Sequence, residues 1–134
     1  LGPVSICREP QKGRTGKQSQ GGMPSNLDAN SPVALHVFGC GHGDTILVRL
    51  PHDRTVLIDC CLSKSNGVLP RFLRYLDDLG VTRLDYVFQT HPDVDHFLGM
   101  ADVLKHFSNS GRSIGTWCDG GVNSQRVRAL LLNV

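Results

Sequence analysis

The segment "QTHPDVDHFLGM", Gln89 to Met100, puts two histidines and two aspartates within six consecutive positions. Imidazole nitrogens and carboxylate oxygens are the donors that zinc and the harder divalent ions take from proteins, so His91, Asp93, Asp95 and His96 are candidate metal ligands. In extended backbone, side chains two apart share a face, which predicts that His91, Asp93 and Asp95 point together. Pro92 supports that geometry, because a residue before proline is biased away from the helical region. His96 falls where the chain turns into a helix. A solvated surface loop also tolerates these residue types. This one, however, is wedged between two apolar segments, and Gly99 permits close packing behind it.

The elements that must position these residues can be read from hydrophobic period. Val33, Leu35 and Val37 alternate in "VALHVFG", "GCGHGD" turns the chain, and "TILVRLP", "PHDR" and "TVLIDCC" follow. These runs predict an antiparallel meander over residues 33–38, 44–50 and 55–60. The period then lengthens. Leu69, Phe72, Leu73, Leu76 and Leu79 lie on one helical face, with Pro70 at the start and Gly80 at the end. Within that helix Arg71 and Arg74 come early and Asp77 and Asp78 late, an order opposed to the helix dipole. "RLDYVFQT" predicts a strand leading into the motif, and Phe97, Met100, Ala101 and Leu104 an apolar helix face after it. "SIGTWCDGG" predicts a further strand and turn, and "SQRVRALLL" a last helix. A meander followed by alternating helix and strand is an α/β layered domain.

The chain has 134 residues and net charge +2, of ordinary globular composition. Length alone predicts one domain. Residues 1–31 are rich in Gly, Ser, Gln and Pro without apolar period and are expected to be disordered. Residues 32–134 form the domain. Arg8, Lys12, Arg14 and Lys17 against Glu9 give the first 22 residues +3, which leaves −1 for the rest. A basic nucleic-acid-binding surface on the domain gets no support from that balance. "GRTGKQ" fails as a phosphate-binding loop, since Gln11 and Gln18 stand where glycine and a hydroxyl residue are needed. Met23 reads as an alternative start. Five cysteines without a C-x-x-C pair predict reduced, mostly buried thiols rather than a zinc finger. With no long apolar run and no signal-like leader, a cytoplasmic protein without a membrane segment is expected.

"THPDVDHFLGM" resembles the H-x-H/D-x-D-H signature of the metallo-β-lactamase fold, in a form similar to the branch that includes the soluble domain of ComEC-type DNA-uptake proteins. "HVFGCGHGDTILVRLPHDRTVLID" is similar to that branch's opening meander, and the likeness covers residues 35 to about 105. The resemblance implies an αββα sandwich, of which this chain would be the first half. It implies two metal ions, zinc or alternatively Mn²⁺ or Mg²⁺, with His91 and Asp93 on one and Asp95 and His96 on the other. Asp59 would support the centre, and Asp95 would double as the group orienting a hydroxide nucleophile. The substrate would be a small molecule or phosphoester, because Asp93 in place of a histidine hardens the ligand set. Asp44, in "GHGDT", is either a residue at the site rim or an Asx-turn residue. His42, in the same turn, either lines the cleft or is an exposed turn residue, and His36, His52 and His106 lack partners at ligand spacing and read as structural or solvated. Cys61 departs from the small residue usual at its place.

The family completes its centre with later ligands, a His, a bridging Asp and a final His, whereas no histidine follows His106 here. Asp102 and Asp119 lack a bridging context, although Asp119 at its Gly-rich turn could approach the cleft. Two protein donors per ion fall short of the three usual in catalytic zinc sites. Two further readings therefore stand beside the hydrolase. One is a catalytically inactive interaction module that self-associates through an uncovered half-domain surface. The other is a single-stranded nucleic-acid-binding domain, against which the −1 balance and the single Trp argue.

Overall fold

The computed structural model describes residues 4–7, 30–39 and 41–119, with the side chains of residues 4–7 left aside. Six strands form one sheet in sequential order. β1 (Val4–Cys7) pairs parallel with β2 (Ala34–Phe38). β2, β3 (Ile46–Arg49) and β4 (Thr55–Ile58) make the expected antiparallel meander, each strand trimmed by one to three residues at its ends. The β3–β4 hairpin closes through Leu50 N–H donating to the Arg54 carbonyl at 2.8 Å. Its tip, His52 and Asp53, has φ of 61° and 55°, the paired left-handed geometry that matches strand twist. His52 is thus a turn residue, as its sequence context implied.

β1 lies inside the segment whose composition predicts disorder. Val4 and Ile6 supply a short alternation, and the outer edge of β2 offers unpaired backbone groups to it. The rest of residues 1–29, and the helix expected in "SQRVRALLL", lie outside the described residues.

α1 (Val68–Asp78) buries Leu69, Phe72 and Leu76 against the sheet, as the apolar spacing predicts. Asn66 Oδ1 accepts the Val68 N–H at 3.1 Å at its start. At its end Gly80, with φ of 66°, lets Val81 N–H reach back to the Leu76 carbonyl at 3.0 Å. The charge order that opposes the dipole has a tertiary cause. Asp77 Oδ1 lies 2.9 Å from His106 Nε2 and 2.5 Å from Arg112 Nη1, which ties the end of α1 to the end of α3 (Met100–Asn109). Partial burial works to raise the Asp77 carboxyl, but the hydrogen bonds and charges of His106 and Arg112 outweigh it and hold it below its ordinary value. At the other end Arg71 Nε donates to the Gly67 carbonyl at 3.2 Å.

β5 (Arg83–Gln89) pairs parallel with β4 and with β6 (Ser113–Asp119). Parallel neighbours need crossovers, supplied by α1 between β4 and β5 and by α2 (Val94–Phe97) with α3 between β5 and β6. One sheet face presents Leu47, Leu57 and Val87 in a cross-strand row. They bury completely with Leu69, Phe72 and Leu76 of α1 and Met100, Val103 and Phe107 of α3. Residues pointing the other way include Val48, Val56 and Tyr86 in one row and Ile46, Ile58 and Phe88 in the next. That face stays apolar and open at β5, where Tyr86 and Phe88 are each 39% exposed with stacked rings 6.2 Å apart. No helix among the described residues is long and apolar enough to cross a membrane.

Candidate metal centre

The motif sits at the carboxyl end of β5, beside the carboxyl ends of β4 and β6, where open α/β sheets place their sites. Three segments are locked together there by backbone bonds. Asp59 N–H donates to the Phe88 carbonyl at 2.8 Å, and Cys60 N–H to the His96 carbonyl at 2.7 Å. Gly99 N–H returns to the Cys60 carbonyl at 2.9 Å, and Cys61 N–H reaches Thr45 Oγ1 at 3.0 Å and the Asp44 carbonyl at 3.2 Å. Two glycines make the approach possible. A Cβ at Gly99 would stand 2.5 Å from the Leu62 carbonyl oxygen and 2.9 Å from Cys60 Sγ. A Cβ at Gly43 would overlap the Asp95 carbonyl, so the "GHGD" turn lies directly on the motif.

The backbone leaves extended geometry sooner than the sequence suggested. β5 ends at Gln89, Asp93 is the last extended residue (ψ 147°), and the chain turns helical at Val94. His91, Asp93 and Asp95 therefore do not form one extended row. The four donors fall instead into two pairs. His91 Nε2 lies 3.8 Å from Asp93 Oδ2, and His96 Nε2 lies 3.8 Å from Asp95 Oδ2. The two imidazole rings bring the pairs together, with centroids 3.5 Å apart. The carboxylates of Asp93 and Asp95 are open to solvent, while His96 is 8% exposed.

Asp59 anchors this arrangement from beneath. It is 1% exposed and held at φ 53°, a conformation that Asp tolerates better than most residues. Its Oδ1 accepts the Thr90 N–H at 2.8 Å. Its Oδ2 accepts the Thr90 hydroxyl at 2.5 Å and lies 2.8 Å from His96 Nδ1. A carboxylate only accepts, so Nδ1 of His96 carries a proton, and in the neutral ring Nε2 keeps its lone pair. Burial works to lower the His96 pKa, but the Asp59 hydrogen bond and the charges of Asp59, Asp95 and Asp44 outweigh it. The imidazole is held above its ordinary value.

Asp44 is exposed on the turn that carries Gly43, and its charge reaches His96. Asp119 ends β6 opposite Gln89 in register, with its Oδ2 3.4 Å from Trp117 Nε1. Asp102 pairs with Lys64 at 2.6 Å. His106 binds Asp77, and His36 is buried in β2 with Nδ1 2.7 Å from the Tyr75 hydroxyl. Cys60 is a buried free thiol that burial pushes up to about 12, which makes it an inert packing residue. Cys61 does not fit the expectation of reduced thiols: it is disulfide-bonded.

Sequence reasoning missed Thr90, which touches Asp59, His91 and His96. The available signal was its position immediately before His91. A cleft of about 180 Å³ lined by Arg49, Asp53, Thr55 and Arg83 lies at the opposite, amino end of β4 and β5 and is unrelated to this chemistry.

The donor pairs can be tested against an ion's geometry. Two ligands ~2.0–2.2 Å from one ion at a tetrahedral angle stand roughly 3.3–3.6 Å apart. The separations of 3.8 Å lie just outside that range, and a small movement of either partner would bring each pair to it. Among the described residues no group of three His, Cys, Asp or Glu is gathered closely enough to hold an ion. The family model of the metallo-beta-lactamase superfamily matches residues 38–126, which is well over half of the chain and includes every residue of this centre. Comparison with curated proteins and with solved structures finds no match.

Proposed function

This chain belongs to the metallo-beta-lactamase superfamily, and we propose that it is a metal-dependent hydrolase with His91 and Asp93 on one ion and Asp95 and His96 on a second. The observation that supports this most directly is the pair of imidazole–carboxylate contacts at 3.8 Å, with the Nδ1 side of His96 bound to Asp59. A carboxylate behind a ligating imidazole fixes its tautomer and raises its basicity. Ions held there would act as Lewis acids and lower the pKa of bound water.

The chain's own residues have separable tasks. Asp59 holds His96 and, through Thr90, the start of the motif loop. Asp95, half-exposed beside His96 Nε2, is placed to accept a hydrogen bond from a nucleophilic water. Asp44 adds negative charge at the rim, which favours cations in the cleft. Two carboxylates among four donors favour zinc less than an all-histidine set would and leave Mn²⁺ or Mg²⁺ open. Such ions bind phosphate oxygens well, so a phosphoester is the substrate class of this reading. The Thr-His-Pro-Asp form of the motif supports the ComEC-like branch within the superfamily. A soluble, cytoplasmic setting belongs to the same reading.

A second reading, an inactive interaction module, is favoured by one observation. Tyr86 and Phe88 stack in the open on a sheet face whose neighbouring rows are apolar. Elemental analysis of the purified chain beside a His91→Ala/Asp93→Ala variant separates the two. Metal bound by the wild type and reduced in the variant, which keeps Asp95 and His96 for the second ion, is the expected result, and it directs hydrolase assays to phosphodiesters first. A folded wild type that binds no metal would overturn the hydrolase reading in favour of the module.

A further inference from the structure

The hydroxyl of Thr90 has one proton and stands among three groups: Asp59 Oδ2 at 2.5 Å, His91 Nδ1 at 3.0 Å and His96 Nδ1 at 3.4 Å. The shortest contact is to a carboxylate oxygen, which cannot donate, so the hydroxyl proton goes to Asp59. With that proton committed, Thr90 Oγ1 can only accept from His91. The contact at 3.0 Å is a hydrogen bond only if His91 carries its proton on Nδ1. Its Nε2 then keeps the lone pair on the side where Asp93 lies 3.8 Å away. His96 reaches the same state by donating directly to Asp59. One buried carboxylate thereby sets both imidazoles, directly for His96 and through a single hydroxyl for His91.

We propose that Thr90 is the positioning residue of this site: its hydroxyl relays the acceptor character of Asp59 to His91 and so turns a ligand-competent Nε2 towards Asp93. The relay rests on the metal-centre reading for its purpose but not for its existence. The tautomer of His91 is a property of the metal-free chain. Thr90 N–H also donates to Asp59 Oδ1 at 2.8 Å, and this bond survives any substitution that removes only the hydroxyl. The backbone of the loop is therefore held while the relay is cut.

The test uses the full chain with ¹⁵N-labelled histidine and long-range ¹H–¹⁵N spectra, at a pH where both imidazoles are neutral. In the wild type, His91 and His96 are both expected as Nδ1–H tautomers. In Thr90→Val, and in Thr90→Ala as a second deletion, His91 is expected to move its proton to Nε2 while His96 keeps Nδ1–H. Thr90→Ser, which restores the hydroxyl, is expected to restore the wild-type pattern. A wild-type His91 protonated on Nε2, an unchanged His91 in Thr90→Val, or a Thr90→Ser that behaves like Thr90→Val would each overturn the proposal.

Zinc titration of the same proteins separates the relay from the reading it serves. Affinity is expected to fall by roughly 10–100-fold in Thr90→Val, the cost usual for losing a group behind a metal ligand, and to recover in Thr90→Ser. If the tautomers behave as stated but the wild type binds no zinc, the metal-centre reading fails and the relay stands. If Thr90→Val binds zinc as tightly as the wild type, the positioning role fails and the metal-centre reading stands.

Discussion

Replacing Asp59 by Asn tests the hydrogen-bond chemistry of the site with the backbone held constant. Asp59 sits at φ 53°, a region that Asn enters about as readily as Asp. The carboxylate accepts from three donors: Thr90 N–H, the Thr90 hydroxyl and His96 Nδ1. An amide offers one oxygen. If it faces the Thr90 N–H, the NH₂ meets the hydroxyl and His96 Nδ1, which must both become acceptors. If it is flipped, the NH₂ meets a backbone N–H that cannot reverse, so the first orientation wins. The structure then keeps its bonds but loses their ionic character. A charge-assisted bond exceeds a neutral one by roughly 0.5–1.5 kcal/mol. Summed over three and reduced by the relief of not burying a charge, the cost comes to about 2 kcal/mol. Asp59→Ala should cost about 4 kcal/mol, because the donors lose any partner and alanine is strained at this φ. Urea unfolding of the metal-free chain reads both numbers. The Asn variant carries a further mark, since His96 moves its proton to Nε2 and loses the lone pair on that nitrogen, beside Asp95. Asn and Ala variants of equal stability, or an Asn variant within about 0.5 kcal/mol of wild type, would refute the reasoning.

Gly99→Ala is expected to cost about 2–3 kcal/mol in the same assay, because its Cβ meets the Leu62 backbone carbonyl, which cannot swing aside, and the buried Cys60 Sγ. Gly39→Ala, with nothing within 4 Å of the added atom, is the control and should stay within about 0.5 kcal/mol. Equal effects at the two positions would contradict the packing account. His36 should make stability depend on pH: burial first, then the charge of Arg49, holds its pKa below 6.5. The unfolded chain then takes up a proton that the folded one refuses. His36 stability is full above pH 6.5 and lost as pH falls from there through the folded pKa, at up to about 1.4 kcal/mol per pH unit. His36→Gln should flatten that slope, and parallel pH profiles for the two proteins would show that His36 titrates alike in both states.

Much of this architecture was legible in the sequence because it follows from local period. The spacing of Leu69, Phe72 and Leu76 reports directly which face of α1 meets the core, and the structure buries those residues. The alternation in "VALHV" marked a strand but not its buried face. Val33 is 48% exposed, Leu35 and Val37 are half-buried, and His36 beside Leu47 is the residue turned to the core. Donor types and spacing likewise marked His91 to His96. Contacts between residues distant in the chain were not legible. Thr90 looks like an ordinary strand residue until Asp59, 31 positions earlier, is brought beneath it. The acidic end of α1 looks unfavourable until His106 and Arg112 arrive from α3 and its following turn. The expected row of His91, Asp93 and Asp95 failed for a related reason. Period predicts side-chain direction only while the backbone stays regular, and here it changes at Asp93.

That change of backbone is what gives the site its form. An extended row would have put three donors on one face and left His96 apart. Turning helical at Val94 instead brings His96 down onto Asp59, with its ring 3.5 Å from that of His91, and leaves Asp95 beside its Nε2. The cost of the turn is met by tertiary bonds: the His96 carbonyl takes the Cys60 N–H, and Gly99 closes against the Cys60 carbonyl. The rigid part of the centre is therefore the buried Asp59–Thr90–His96 network. Asp93 and Asp95 are exposed and adjustable, so an arriving ion would find two imidazoles already oriented and two carboxylates free to close on it. Ion affinity in this chain should accordingly respond more to changes at Thr90 and Asp59, which touch no ion, than their distance from the ligand atoms would suggest.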